Sequence, residues 1–228
     1  MKLSVIIPVY NEENTVRAII NRVLAVELPE KMELEILVVD DGSTDNTNRN
    51  IIECQRSSSV RMIRQQQNLG KTSAVARGIK EATGELIIIQ DADLEYDPGQ
   101  YPLLLHPILQ GRADAVYGSR FLGQIRQMRP INRWANILSN TVFNLLYPVK
   151  LTDINTCYKL FRSEIVKPLT IESRHFTFET EITAKLIRQK RRIMEIPIHY
   201  VARTSKEGKK ISWPKAISMF GGIFKYRF

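Results

Sequence analysis

Two apolar runs that end in carboxylates constrain this chain more than any other feature. Ile36-Leu37-Val38-Val39 runs into Asp40-Asp41-Gly42-Ser43-Thr44-Asp45, and Leu86-Ile87-Ile88-Ile89-Gln90 runs into Asp91-Ala92-Asp93-Leu94-Glu95. Four or five consecutive apolar residues, β-branched ones dominant, read as strands covered on both faces. Carboxylates at the carboxyl ends of such strands stand where open α/β sheets bind ligands. Asp91 and Asp93 lie two apart, so on an extended chain they share a face, a spacing that lets both reach one divalent cation and the phosphates it neutralises.

The segments around these runs alternate. Strand patterns cover Leu3 to Val9, Leu34 to Val39, Val60 to Gln65, Glu85 to Gln90 and Ala113 to Gly118. Helical patterns cover Glu12 to Ala25, a segment capped by Ser43 or Thr44 and running to about Arg56, Gly70 to Ala82, and Pro98 to Leu109. Such alternation predicts an α/β fold with a Rossmann-like, mainly parallel sheet and helices on both faces. Beyond Arg120 the reading is a helix over Asn132 to Tyr147, a strand over Thr156 to Phe161, a helix over Phe178 to Gln189 and a strand over Ile193 to Tyr200. Residues 203–210 lack periodicity and read as a loop. Residues 211–228, with Ile211, Trp213, Ile217, Phe220, Ile223 and Phe224 among basic residues, read as an amphipathic tail that either packs on the domain or lies in a bilayer interface. The expected division is a catalytic domain over 1–210, with halves 1–120 and 121–210, and the tail over 211–228.

Charge divides unevenly. The net +9 arises from −5 over residues 1–114 and +14 over residues 115–228. Nothing between Asp114 and Asp153 is acidic, while Arg120, Arg126, Arg129, Arg133 and Lys150 are basic. That split fits a metal-bearing site facing a basic acceptor surface. Nucleic acid is not expected as a partner, since neither interleaved aromatics nor a binding module is visible. The two cysteines, Cys54 and Cys157, form no CxxC and have no histidine nearby in sequence, which points to neither a disulfide framework nor a zinc site. No apolar run approaches the ~20 residues of a spanning helix, and Leu3 to Val9 is too short for a signal sequence. The expected setting is the cytoplasm, with any membrane contact made from the surface.

Local motifs narrow the chemistry. Pro8-Val9-Tyr10-Asn11-Glu12 follows the first strand, where Tyr10 can stack on a base and Glu12 can accept bonds from base or ribose. Gly70-Lys71-Thr72 is not a Walker A loop, because position 65 is Gln. Lys71 at a helix start can still attract a phosphate. No G-x-G-x-x-G follows the first strand, which argues against a dinucleotide dehydrogenase.

Taken in order, PVYNEEN, VVDDGSTDNT, NLGKTSAVARGIKEATGELIIIQDADLEYDP and GSRF resemble the family-2 inverting glycosyltransferases of the GT-A fold. TDINTCYKLFR (152–162), FTFETEI (176–182) and the loop from Arg203 to Lys210 resemble more narrowly the branch of dolichyl-phosphate mannose synthases and polyprenyl-phosphate glucosyltransferases. The Q-x-x-R-W motif of processive members is missing, which implies transfer of a single sugar. The resemblance implies that Pro8, Tyr10, Glu12 and Asp41 hold the nucleoside, with Asp40 nearby. It implies that Asp91 and Asp93 place Mg²⁺ or Mn²⁺ on the donor diphosphate, with Glu95 a third metal-shell residue. Arg120 would lie near the sugar or acceptor phosphate, and Arg203 and Lys210 would clamp the diphosphate. Thr-Cys-Tyr-Lys departs from the commoner T-G-F-[RK].

The expected reaction is one inverting transfer of a hexose, from GDP-mannose first and UDP-glucose second, to a polyprenyl or dolichyl phosphate. A lipid phosphate is already an anionic nucleophile. A glycan hydroxyl would need a general base, for which Asp153 and Glu179 are the candidates. A nucleotide-sugar-binding module without turnover, and nucleotidyl transfer, are the other classes. A peripheral position on the cytoplasmic membrane face, with contact through residues 211–228, follows from the lipid acceptor, and a membrane-protein partner is a further expectation.

Overall fold

The computed structural model describes residues 1–29, 31–173, 177–203 and 221–227. Among the described residues seven strands form one sheet: β1 (Lys2–Val9), β2 (Glu33–Asp40), β3 (Val60–Arg64), β4 (Leu86–Ile89), β5 (Ala115–Arg126), β6 (Lys159–Arg162) and β7 (Ile193–Val201). Their spatial order is β3-β2-β1-β4-β6-β5-β7. The β1–β2, β2–β3, β1–β4 and β5–β7 pairs are parallel, and β6 runs antiparallel between β4 and β5. Helices among the described residues include α1 (Val16–Leu24), α2 (Thr47–Cys54), α3 (Lys71–Glu81), α4 (Tyr101–Leu109), α5 (Pro130–Leu146), α6 (Ser163–Val166) and α7 (Phe178–Arg188), with a 3-10 turn at Pro98–Gln100 and further helical residues at 221–225.

Alternation within the strands builds two cores. Leu3, Val5, Ile7, Ile36 and Val38 pack with Val16, Ile19, Ile20 and Val23 of α1 and Leu104, Leu105 and Ile108 of α4. Their neighbours in sequence, Ile6, Leu37, Val39, Ile87 and Ile89, pack on the other face with Ala74, Val75 and Ile79 of α3 and Ile182 and Leu186 of α7. Each such fully buried side chain is worth about 1.5–3 kcal/mol of burial, so the continuous apolar runs are the physical consequence of a sheet covered twice.

Several boundaries differ from the sequence reading, for identifiable reasons. Helix α1 begins at Val16 rather than Glu12. The Asn11 and Glu12 amides are taken by the Ser43 and Thr47 hydroxyls instead of by a helical turn. Those hydroxyls are thereby spent, and α2 starts at Thr47 behind Asn46 rather than behind Ser43 or Thr44. β5 continues to Arg126, because Gln124 to Arg126 pair with His199 to Val201 after a bulge, on a stretch with only one covered face. The strand read from Thr156 begins at Lys159, and four-residue α6 follows it directly.

The described end of the tail packs on the domain. Ile223 is fully buried, Tyr226 nearly so, and the Tyr147 hydroxyl donates to the Ile223 carbonyl at 3.1 Å. Of the two alternatives open for the tail, Ile223 takes the packed one: its surface is buried by protein rather than offered to a bilayer. Residues 211–220, Phe228 and the loop position Lys210 lie outside the described residues.

Candidate active site

Three neighbouring strands deliver the candidate residues. β1 lies between β2 and β4, and the register pairs Val9 with Asp40 and Ile6 with Ile89. Glu12, Asp40-Asp41 and Asp91-Asp93 therefore leave the sheet at one edge. Gln90 anchors the last of these exits. It is fully buried; its Oε1 accepts from the Tyr101 and Tyr158 hydroxyls at 2.8 and 2.7 Å, and its Nε2 donates to the Asp91 carbonyl.

Asp91 and Asp93 each meet a cation. Lys71 Nζ, at the start of α3, lies 2.7 Å from Asp91 Oδ1, 3.0 Å from Cys157 Sγ and 3.6 Å from Glu179 Oε1. Burial works against the Asp91 charge, but Lys71, the Cys157 thiol and Arg203 outweigh it and hold the carboxyl below its ordinary value. Asp93 goes the other way. Burial, together with the charges of Asp91 and Glu95, pushes it up to about 7 even though Arg203 Nη2 lies 3.1 Å from its Oδ2. Two neighbouring carboxylates are a hard-oxygen donor set of the kind Mg²⁺ or Mn²⁺ takes.

Arg203 joins the exits. Besides Asp93, its guanidinium lies 3.8 Å from Glu12 Oε1 and 3.8 Å from Glu95 Oε1, and its backbone amide donates to Glu95 Oε1 at 2.7 Å. The Tyr200 hydroxyl donates to Glu95 Oε2. Both oxygens of Glu95 are thus engaged in holding the end of β7. Among the described residues no three His, Cys, Asp or Glu side chains are placed to hold a metal ion together. Glu95, expected as a third metal-shell residue, is here engaged with the Arg203 amide and the Tyr200 hydroxyl.

Asp40 and Asp41 are turned into the loops. Asp40 is fully buried; its Oδ1 accepts from the Ser43 amide at 2.9 Å, and Arg64 lies 3.5 Å from its Oδ2. Asp41 accepts from Gln65 Nε2, Leu69 N and Gly70 N, each at 2.8 Å, which ties the chain just ahead of α3. Gly42 has φ +75°, and a Cβ there would fall 2.7 Å from the Gln67 carbonyl carbon, so only glycine lets the two loops pass this closely. Tyr10 is 44% exposed and Pro8 is buried in β1.

On the far side of β4, Arg120 and Asp153 form a buried pair. Arg120 Nε and Nη2 donate to the two Asp153 oxygens at 2.7 Å each, and the Arg120 amide donates to Oδ2 at 2.9 Å. The guanidinium also lies 5.2 Å from the Tyr200 ring centroid. Burial disfavours its charge, but Asp153 and two tyrosines hold its pKa above the ordinary value. With both oxygens committed, Asp153 acts on Arg120 rather than standing free as a base. Glu195 fixes Asp153 in turn, accepting from the Thr152 and Asp153 amides at 2.8 and 2.9 Å.

A glycosyl transferase family 2 model matches residues 4–170, about three quarters of the chain. The chain belongs to that family. Among solved structures, glucosyl-3-phosphoglycerate synthase from Mycobacterium tuberculosis in complex with phosphoglyceric acid is 18% identical, with a TM-score of 0.77 over 99% of this chain and 79% of that one. The same enzyme with Mn²⁺, UDP and phosphoglyceric acid gives 0.77 at 18% identity over 99% and 78%. With Mg²⁺ and UDP it gives 0.76 at 18% over 99% and 79%. At this identity the likeness establishes a shared fold, in keeping with the α/β architecture expected of a family 2 glycosyltransferase.

Within this glycosyltransferase the candidates fall into connected groups. Lys71, Asp91 and Glu179 are joined through Cys157; Glu12, Asp93, Glu95 and Arg203 are joined through the guanidinium; Arg120 and Asp153 stand beside Tyr200 and Tyr96. Sequence reasoning missed Gln90, Lys159 and Glu195, and the asparagines Asn136, Asn140 and Asn144. Lys159 is fully buried, donating to the Ile154 and Thr156 carbonyls at 2.9 and 2.7 Å with its ammonium 4.1 Å from the Tyr117 ring centroid. The four-residue spacing of the asparagines on α5 was the one available signal, since it marks a single polar helix stripe.

Proposed function

We propose that this chain transfers one hexose from a nucleotide sugar to a phosphate-bearing acceptor, with a polyprenyl phosphate favoured. The observation that carries the reading is the Asp91–Asp93 pair at the end of β4 with Lys71 and Arg203 astride it. Asp91 and Asp93 would hold Mg²⁺ or Mn²⁺, which when bound stabilises the charge that develops on the leaving nucleoside diphosphate. Lys71 and Arg203 would pair with the same phosphates. Glu12 and the exposed Tyr10 ring offer a hydrogen-bond acceptor and a stacking face to the nucleoside, while Asp41 shapes that end of the site by fixing the loop ahead of α3.

Arg120 is the proposed phosphate-binding residue on the acceptor side, pre-oriented by Asp153 and Glu195. A phosphate acceptor needs no general base, which agrees with the commitment of both Asp153 oxygens. The phosphoglyceric acid complexes of the mycobacterial enzyme favour a second reading, in which the acceptor is a small soluble phosphate ester. The UDP complexes of that enzyme weigh toward UDP-glucose over GDP-mannose as donor. A lipid acceptor would place the protein on the cytoplasmic membrane face.

Thermal unfolding with GDP-mannose, UDP-glucose and other nucleotide sugars, with and without Mn²⁺, tests the donor side, because a ligand bound by the native state raises the melting temperature by mass action. A Mn²⁺-dependent rise with one donor, reduced in Asp91→Asn, supports the proposal. No rise with any donor counts against it.

A further inference from the structure

We propose that the outer face of helix α5 docks on an anionic membrane surface. Of the fourteen large apolar side chains exposed among the described residues, five belong to this one helix: Ile131 (60% exposed), Trp134 (69%), Ile137, Leu138 (55%) and Leu145 (84%). Scattered exposed apolar residues need no explanation, but a contiguous patch does. Residues 131, 134, 138 and 145 fall on one stripe of α5, which runs about 21 Å from residue 131 to residue 145.

The opposite face of α5 is occupied. Asn136 accepts from Arg120 and Asn155, Asn140 accepts from the Ile154 amide at 3.0 Å, and Asn144 exchanges hydrogen bonds with Leu151. Phe143 is fully buried. The apolar stripe therefore cannot turn inward without breaking the bonds that hold the 151–155 segment and, through it, Asp153.

Charge selects the occupant. Arg126 and Arg129 ahead of α5, Arg133 in its first turn and Lys150 just past its end are all exposed, and no acidic residue occurs between Asp114 and Asp153. A second copy would bring the same basic rim against this one, a repulsive arrangement. Anionic headgroups complement it, and a tryptophan among aliphatic and basic residues suits the interfacial zone. This inference concerns a surface and stands whether or not the acceptor is a lipid phosphate.

The chain has two tryptophans, Trp134 and Trp213, so Trp213→Phe leaves Trp134 as the sole reporter. That variant is mixed with phosphatidylcholine vesicles, with and without phosphatidylglycerol, containing no polyprenyl phosphate and no nucleotide sugar. The expected result is co-sedimentation and a blue shift of Trp134 emission with the anionic vesicles only, weakening as salt rises. Leu138→Glu/Leu145→Glu should lose about tenfold or more of this binding at an unchanged unfolding midpoint. Arg126→Gln/Arg129→Gln/Arg133→Gln should lose the preference for anionic lipid. Absence of partition, equal partition by the glutamate variant, or a dimer in sedimentation velocity that the glutamate variant abolishes would each overturn the proposal. A chain that docks yet glycosylates no lipid phosphate would keep this inference and remove the lipid acceptor.

Discussion

Asp153→Ala should be among the most damaging single substitutions near the site, and its cost follows from the geometry. Asp153 is fully buried, Arg120 is 7% exposed, and three hydrogen bonds from Arg120 end on that one carboxylate. Removing it leaves a guanidinium buried beside Tyr96 and Tyr200 without its counter-charge. Breaking a buried pair in this way costs about 3–5 kcal/mol. For a chain of this size each kcal/mol moves the melting temperature by about 2–4 °C, so a fall of roughly 6–20 °C is expected. Urea unfolding at neutral pH measures the cost directly. The double variant Arg120→Met/Asp153→Leu should recover most of the stability while losing acceptor use, because neither charge then remains buried alone. If Asp153→Ala costs less than about 1 kcal/mol, or if the double variant is as unstable as the single, the claim that Asp153 exists to hold Arg120 is wrong.

Other substitutions probe separate parts of the account. Gly42→Ala forces a Cβ into the Gln67 backbone at positive φ and should cost about 1–3 kcal/mol, with weaker nucleotide-sugar binding by calorimetry; an unchanged midpoint would show that the 41–42 and 65–70 loops are not locked. Burial pushes the Lys159 ammonium down to about 8, below its ordinary 10.5. Between those values the native state binds fewer protons than the unfolded chain, so this group adds stability as pH rises from about 8 toward 10 and none of that gain is present below. The urea midpoint should therefore rise from this residue between pH 8 and pH 9.5, by the linkage slope, and Lys159→Met should flatten the rise; parallel curves for the two proteins would refute it. Arg203→Gln should weaken donor binding in the presence of Mn²⁺ more than it weakens stability, since its partners Asp93 and Glu12 belong to the donor site; a loss of folding without a loss of donor affinity would contradict its role there.

The sheet was legible because continuous apolar runs such as Ile36 to Val39 and Leu86 to Ile89 admit few other fates, and carboxylates at their ends mark one edge. Element starts were less legible where a side chain serves another segment: Ser43 and Thr47 look like caps for their own helix but bind the Asn11 and Glu12 amides. The antiparallel placement of β6 depends on the path of residues 147–158, which no local pattern encodes. Gln90, Lys159 and Glu195 were missed because a polar residue next to an apolar run is ambiguous until its partners are known. Each turns out to be buried or half-buried and to fix the backbone that presents Asp91 or Asp153. The sequence reading of Asn132 to Tyr147 stops at a helix, whereas its outward side is apolar and its inward side carries the asparagines.

The central claim is metal-dependent hexosyl transfer at Asp91 and Asp93. Its most direct test is release of nucleoside diphosphate from UDP-glucose or GDP-mannose with Mn²⁺ and a polyprenyl phosphate or phosphoglycerate acceptor, compared between wild type and folded Asp91→Asn and Asp93→Asn. The account predicts acceptor-dependent release that disappears on chelation and falls by at least about a hundredfold in either variant. Release that persists in both variants, or that survives chelation undiminished, would contradict it.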